Sequence, residues 1–304
     1  AEDPCGGATP TRSYADCANS GVTADQYGRN TSSPAGQNNF LQGGNPDLAP
    51  EESDTYSYGV VWTTEFVDGL SLTLDWYNIE IEQGISNLSP EFILNECLDG
   101  NQTQCANVRR GRSGDLWIGS NVETSGNVVA LQDNLAIEEV EGYDLIVDYS
   151  LDLNSMGSLS FNNTTSIIDS WDQQELKGAV VEDCAGVWGG SCGYPTPDFR
   201  NNFRATWLTP WNVTASLAWR HISEVDDVNE NLDLDSIDYF DLAGVWDIMD
   251  DTISLRAGVN NIMDEEPPIA GNAAGPSING NGNVFPGMYD ALGRYYFLGA
   301  TVRF

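Results

Sequence analysis

Six cysteines are the residues whose spacing most directly suggests chemistry in this 304-residue chain. They fall into three local pairs, Cys5 with Cys17, Cys97 with Cys105 and Cys184 with Cys192, each within one polar segment rich in Gly and Asn. The short separations favour pairing within each segment over the other connectivities that six thiols allow. None matches the CxxC spacing of a zinc site, and His221, the only histidine, is remote from all of them in sequence. Oxidised pairs imply an extracytoplasmic compartment. Each bridge would close a short loop and stabilise it by about 2 to 3 kcal/mol.

Other residues could meet a ligand. Trp117, Trp171, Trp188 and Tyr194 lie in polar connections, where they could stack on sugar rings or an aromatic chelator, or simply pack within the loops. Arg109, Arg110 and Arg112 form the one basic cluster, "RRGR", suited either to an anionic ligand such as a ferric chelate or to local charge compensation. The acidic runs Asp226, Asp227, Asp233, Asp235 and Asp264, Glu265, Glu266 could offer calcium its oxygen ligands, although their spacing matches no defined calcium loop and also fits solvated acid. His221 has no serine or cysteine nucleophile motif near it, so no catalytic set stands out and no enzyme is expected. The stretch from Gly271 to Asn283 lacks the Lys of a phosphate loop and reads as surface loop.

The elements that position these residues must suit an unusual charge. There are 46 acidic and 12 basic residues, a formal net charge of -34, which argues against nucleic acid as a partner. A hydrophobic content of 40% is adequate for a folded chain. No apolar run is long enough for a transmembrane helix, so a membrane role would need strands. The first residues, "AEDPCGG", do not resemble a signal peptide, so the chain is expected to be mature or part of something longer.

Alternation with a period of two marks nine candidate strands, at about 54–65, 69–82, 136–152, 157–169, 199–208, 211–222, 236–248 and 252–260 and at the terminal "YYFLGATVRF". In the third, Tyr143, Leu145, Val147, Tyr149 and Leu151 alternate with Asp144, Asp148, Ser150 and Asp152. In the second the apolar phase moves between Trp76 and Tyr77, which suggests a bulge or a change of environment. Connections after the odd strands are tight, whereas those after the even ones are long and polar. That asymmetry, strands long enough for a bilayer, and aromatic residues at strand ends (Trp62, Trp76, Trp207, Trp211, Trp219 and Trp246 among them) belong to up-and-down outer-membrane barrels. The expected organisation is a loop region at 1–53 with a local disulfide, then barrel strands and surface loops at 54–304.

Three segments resemble the TonB-dependent outer-membrane receptors: "GGNPDLAPEESDTYSYGVVW" (Gly43 to Trp62) followed by "DGLSLTLDWYNIEIEQGI", "RAGVNNIMDEEPP" (Arg256 to Pro268), and "YDALGRYYFLGATVRF" (Tyr289 to Phe304). The resemblance spans about 43–304 in the family's order. It implies an all-β, antiparallel up-and-down transmembrane barrel segment, about nine strands of a larger, 22-stranded barrel with long extracellular loops, in the outer membrane of a Gram-negative bacterium. It also implies that a final aromatic, Phe304, acts as the assembly signal. The family's plug and TonB box are not recognisable. An upstream portion with plug and remaining strands, on the same or a separate chain, is therefore an expected partner, with the TonB complex acting through that plug and outer-membrane lipid around the strands.

An open sheet in lipid would leave unpaired backbone groups at several kcal/mol each. Closing nine strands on themselves would need a parallel pair. The implied function is energised uptake of a scarce nutrient: siderophore-iron, a cobalamin-like compound or an oligosaccharide. The alternative is a secreted structural or adhesive β-domain with calcium-binding acidic loops, which would be soluble without detergent.

Overall fold

The computed structural model describes residues 3–119, 121, 123–174, 180–190, 192–228, 232–248, 252–270 and 283–303. Phe304, the glycine-rich stretch 271–282 and the turn 249–251 lie outside them. In chain order the elements are α1 (Tyr14–Asn19), β1 (Phe40–Gly43), β2 (Glu52–Thr63), β3 (Leu70–Asn87), α2 (Pro90–Leu98), α3 (Gln102–Cys105), β4 (Val108–Arg109) and β5 (Asn127–Asp152). A 3-10 turn (Asn154–Met156) leads to β6 (Ser158–Gln174), β7 (Glu182–Asp183), β8 (Val187–Gly189) and β9 (Gly193–Thr196). Then come β10 (Phe199–Leu208), β11 (Val213–Ile222), β12 (Asp226–Asp227), β13 (Ile237–Ile248), β14 (Ile253–Asn260) and β15 (Tyr295–Val302).

Among the described residues nine long strands pair in the order β15-β14-β13-β11-β10-β6-β5-β3-β2, each beside its neighbour in sequence. This is an antiparallel meander. Its tight turns carry left-handed residues where the chain must reverse, Gly69 (φ 80°), Asn154 (φ 56°) and Asn212 (φ 57°). Among the described residues β2 and β15 each pair along one edge.

Register fixes the two faces. Tyr149, Phe161, Ala205, Leu217, Leu242, Val259 and Tyr296 stand directly opposite one another across seven strands. One residue along, the row on the other face reads Ser150, Ser160, Thr206, Ser216, Ala243, Gly258 and Phe297. The first face is apolar yet exposed, with Leu217 at 44%, Leu242 at 48% and Leu298 at 85%. The second carries Asp148, Asn162, Arg204 and Asp241. A water-soluble sheet buries its apolar face, whereas a lipid-facing wall presents it and turns the polar one to a lumen. The irregularity expected at Trp76/Tyr77 has a counterpart in β5, where register shifts between Glu141 and Gly142. The Tyr77 ring lies over Gly142, where a Cβ would come within 2.5 Å of its hydroxyl.

The chain divides into two compact units, one built mainly of Ala1–Glu52 and Glu82–Ala136, the other of Ser53–Ile81, Ile137–Gln174 and Gly178–Phe304. The first has its own core, in which Ile93, Leu94 and Leu98 of α2 pack with Val22, Leu116 and Val128 and with the Cys5–Cys17 and Cys97–Cys105 disulfides. Ser89 caps α2 by accepting a hydrogen bond from the Phe92 N–H, and Pro90 occupies its first turn. This sequence, "SPEFILNECL", makes a helix inside what composition marks only as a polar connection. The second unit holds the sheet and a smaller core around Trp188, Val225, Leu234, Tyr239, Phe285 and Tyr289.

Candidate functional site

In the second unit, the Cys184–Cys192 disulfide ties the short ribbon of β8 and β9. The ribbon places its two aromatic residues differently. Trp188 is 1% exposed and donates from Nε1 to the Leu232 carbonyl at 3.2 Å. It meets Phe285 edge-on with ring centroids 5.5 Å apart, so of its two expected roles, stacking on a ligand or packing within the loops, Trp188 fills the second. Tyr194, on β9, is 63% exposed and meets the same Phe285 at 5.9 Å. With Pro195, Pro286 and Met288 these rings line an apolar cleft of about 410 Å³. Arg200, from the polar face of β10, donates to the Met288 sulfur.

Beyond Pro286 a second cleft, of about 460 Å³, opens between the strands and the segment before β15. Arg220 on β11 organises it. Its guanidinium bonds Asp241 of β13 at 2.9 Å and Asp290 at 2.5 Å, and lies 4.8 Å from the centroid of the Tyr239 ring. The Asp290 N–H donates to the Tyr239 hydroxyl at 3.1 Å, and Asp241 also accepts from the Asn261 N–H at 2.8 Å. Asn261 holds the turn after β14 through both side-chain atoms, accepting from the Glu265 N–H and donating to its carbonyl. Tyr289, buried in this segment, has its pKa pushed up to about 12, chiefly by burial.

The remaining candidates are dispersed. Trp171 is half-buried in β6 opposite Val140, and Trp117, in the first unit, donates from Nε1 to the Thr31 carbonyl at 2.8 Å. The basic cluster splits: Arg109 and Arg112 are exposed, whereas the Arg110 side chain is 4% exposed and paired with Asp3 at 2.6 Å. Arg110 also donates to Ser20 and to the Gly114 carbonyl, so of the two roles expected of the cluster, anion binding or local charge compensation, it fills the second. His221 bonds Asp238 at 2.9 Å on the apolar face, beside Trp219, which donates to the same carboxylate. Among the described residues no group of three or more His, Cys, Asp or Glu is placed to hold a metal ion. The acidic runs instead serve backbone groups, as where Asp264 accepts from the Arg294 N–H at 2.7 Å and Asp233 from that of Asp227.

Residues 13–262 match the family model described as TonB dependent receptor-like, beta-barrel. No curated protein matches the sequence. Among solved structures, the chain is similar to the ferric enterobactin receptor of Pseudomonas aeruginosa, with 18% identity and a TM-score of 0.59 over 86% of this chain and 32% of that one. It is similar also to the siderophore receptor PirA of Acinetobacter baumannii (13% identity, TM-score 0.54, 85% of this chain and 32% of that one). The FrpB iron transporter of Neisseria meningitidis gives 11% identity and a TM-score of 0.52 over 87% and 32%. The chain thus spans about a third of the length of these structures. At such identities the likeness concerns fold.

Proposed function

Since the chain belongs to the TonB-dependent receptor β-barrel family, we propose that it supplies nine barrel strands and the outer loops of an outer-membrane receptor that captures a scarce nutrient and imports it with energy from TonB. The observation that carries this reading is the meander itself, which has an exposed apolar face, a polar face and, among the described residues, two open edges. In hydrocarbon an unpaired strand edge costs several kcal/mol per backbone group, so other strands must complete both edges. Those strands, and the plug through which TonB acts, come from further chain or from a second polypeptide.

The long connections then face outward and the tight turns inward. The two clefts at the outer ends of the strands are where a ligand first meets the chain, with Tyr194, exposed on its disulfide-tied ribbon, as the leading contact. In the first unit, taken by itself, Trp117, Arg109 and Arg112 are the candidate ligand contacts. The strands and loops bind and guide; no bond chemistry is assigned to them.

Single-cysteine labelling tests the placement. Val180 (78% exposed) lies in a long connection and Phe66 (97% exposed) in a tight turn. In intact cells Val180→Cys reacts with a membrane-impermeant maleimide, and Phe66→Cys reacts only after the outer membrane is opened. The reverse pattern, or both residues labelled in a soluble fraction, contradicts the reading.

A further inference from the structure

In the parallel pairing of β1 with β5, Phe40 stands opposite Val128, and the Val128 N–H donates to the Asn39 carbonyl at 3.1 Å. Alternate residues of a strand turn both backbone groups to the same side, so Asn39 and Leu41 face β5, and Phe40 and Gln42 direct their N–H and C=O groups to the opposite edge. Among the described residues no strand pairs with β1 there. The strand's sequence, FLQG, sets neither a charge nor a proline against a newcomer.

Beside this edge lies a cleft of about 490 Å³ within the first unit, where Phe40 and the residues before it meet Pro90, Glu91 and Leu94 of α2. Leu94 and Val128, 4% and 2% exposed, give it an apolar floor, and Phe40, 55% exposed, stands at its rim. Glu91, in the first turn of α2, is the one charged group in the lining. It is exposed and has no hydrogen bond or ion pair among the described residues. Each feature selects part of a partner. The row of outward backbone groups suits an extended peptide backbone, and the floor suits an apolar side chain. The free carboxylate, in a chain with 46 acidic and 12 basic residues, suits a cation. Because side chains alternate along a strand, one peptide can supply both.

We propose that this edge and cleft bind a short basic peptide in extended conformation, which adds a strand to β1, lays an apolar side chain on Leu94 and Val128 and sets a Lys or Arg beside Glu91. The four residues of β1 span about 13 Å, so about four residues of the peptide engage. The assignment goes beyond the receptor reading and uses only residues of the loop unit.

The test is saturation-transfer NMR on the receptor extracted from outer membranes in detergent, with the capped peptide acetyl-Lys-Val-Lys-Val-amide as probe. The acidic analogue acetyl-Glu-Val-Glu-Val-amide is the charge control. Two further forms of the basic peptide carry backbone N-methyl groups, one on both valines and the other on both lysines. The basic peptide receives saturation and the acidic one does not. One N-methylated form loses binding and the other keeps it, because only alternate N–H groups of an added strand face β1. Glu91→Gln weakens the basic peptide about two- to fivefold, the range of an exposed ion pair. Gln42→Pro removes an outward N–H, leaves the bonds to β5 in place and abolishes binding. No transfer to the basic peptide, as when another segment of the chain already pairs with β1, overturns the assignment. So does equal transfer to the acidic peptide, an equal effect of both N-methylations, or unchanged binding by Gln42→Pro. Because the sample comes from outer membranes, any of these results leaves the receptor reading standing.

Discussion

Arg110 and Asp3, 107 residues apart in sequence, form an ion pair of 2.6 Å in which the two side chains are 4% and 6% exposed. The pair ties the first segment of the loop unit to the strand-like stretch after α3, and the Asp3 carboxylate also accepts from the Cys5 N–H at 3.0 Å. Removing one partner strands a desolvated charge, which in buried pairs costs about 3 to 5 kcal/mol. Arg110→Met is therefore expected to release the segment before β1 to protease while the strands stay protected. Asp3→Asn combined with Arg110→Met should cost less than the sum of the single changes. Limited proteolysis with mass mapping checks both.

The Cys97–Cys105 disulfide closes a loop of eight residues' separation beside α2. Loop-closure entropy assigns it about 2.5 kcal/mol. With both residues changed to Ser, the denaturant midpoint of the loop unit falls correspondingly, and that of the Cys184–Cys192 ribbon in the other unit is unchanged. Thiol alkylation of the native protein, followed residue by residue, separates the two.

Asp115 gives the loop unit an acid dependence. Burial pushes its pKa up, but hydrogen bonds from the Ser113 hydroxyl and from the Ile118 and Trp117 N–H groups more than offset this and hold it below the usual carboxylate range. A depressed folded-state pKa adds stability that is present in full above the unfolded value, near pH 4, and is lost as pH falls through the folded one. Asp115→Asn removes that contribution. Unfolding midpoints taken from pH 7 to pH 2 should converge for the two proteins at the acid end and diverge above pH 4.

The lipid-facing assignment separates neighbours on one strand. Leu242 lies on the exposed apolar face of β13 and Ala243 on the polar one. Leu242 sits six residues from the turn end of its strand, which in a tilted strand is near mid-membrane. Arg there costs about 2 to 4 kcal/mol, and Arg on the lumen side much less. Folding titrations into lipid vesicles should show Leu242→Arg strongly destabilised and Ala243→Arg little changed.

Much of the sheet was legible because alternation is a local signal: Val213 to Trp219 marks β11, expected at 211–222 and observed at Val213–Ile222, and Tyr143 to Leu151 marks the end of β5, which was expected at 136–152 but begins nine residues earlier, at Asn127. The loop unit was less so. Its helix α2 lies between turn-rich segments and is too short to establish a period, and only the cap formed by Ser89 and Pro90 hints at it. The candidate site depended on contacts that sequence does not encode locally. Arg220 and Asp290 are 70 residues apart, and nothing between them announces the pairing. Trp188 and Tyr194 look alike in sequence, yet one fills the core and the other faces solvent, because Phe285, far along the chain, packs between them. Arg110 stood in a basic cluster that suited an anionic ligand or local charge compensation equally. Its true partner is an Asp near the other end of the unit.

The most direct test of the central claim is the native mass, in mild detergent, of the particle that contains this chain, with every polypeptide in it identified. A wall of nine strands whose two edges are open among the described residues predicts a membrane particle that also carries a plug and the strands that complete the barrel, in the same or a second polypeptide. Recovery of these strands alone, soluble in water without detergent, would contradict it.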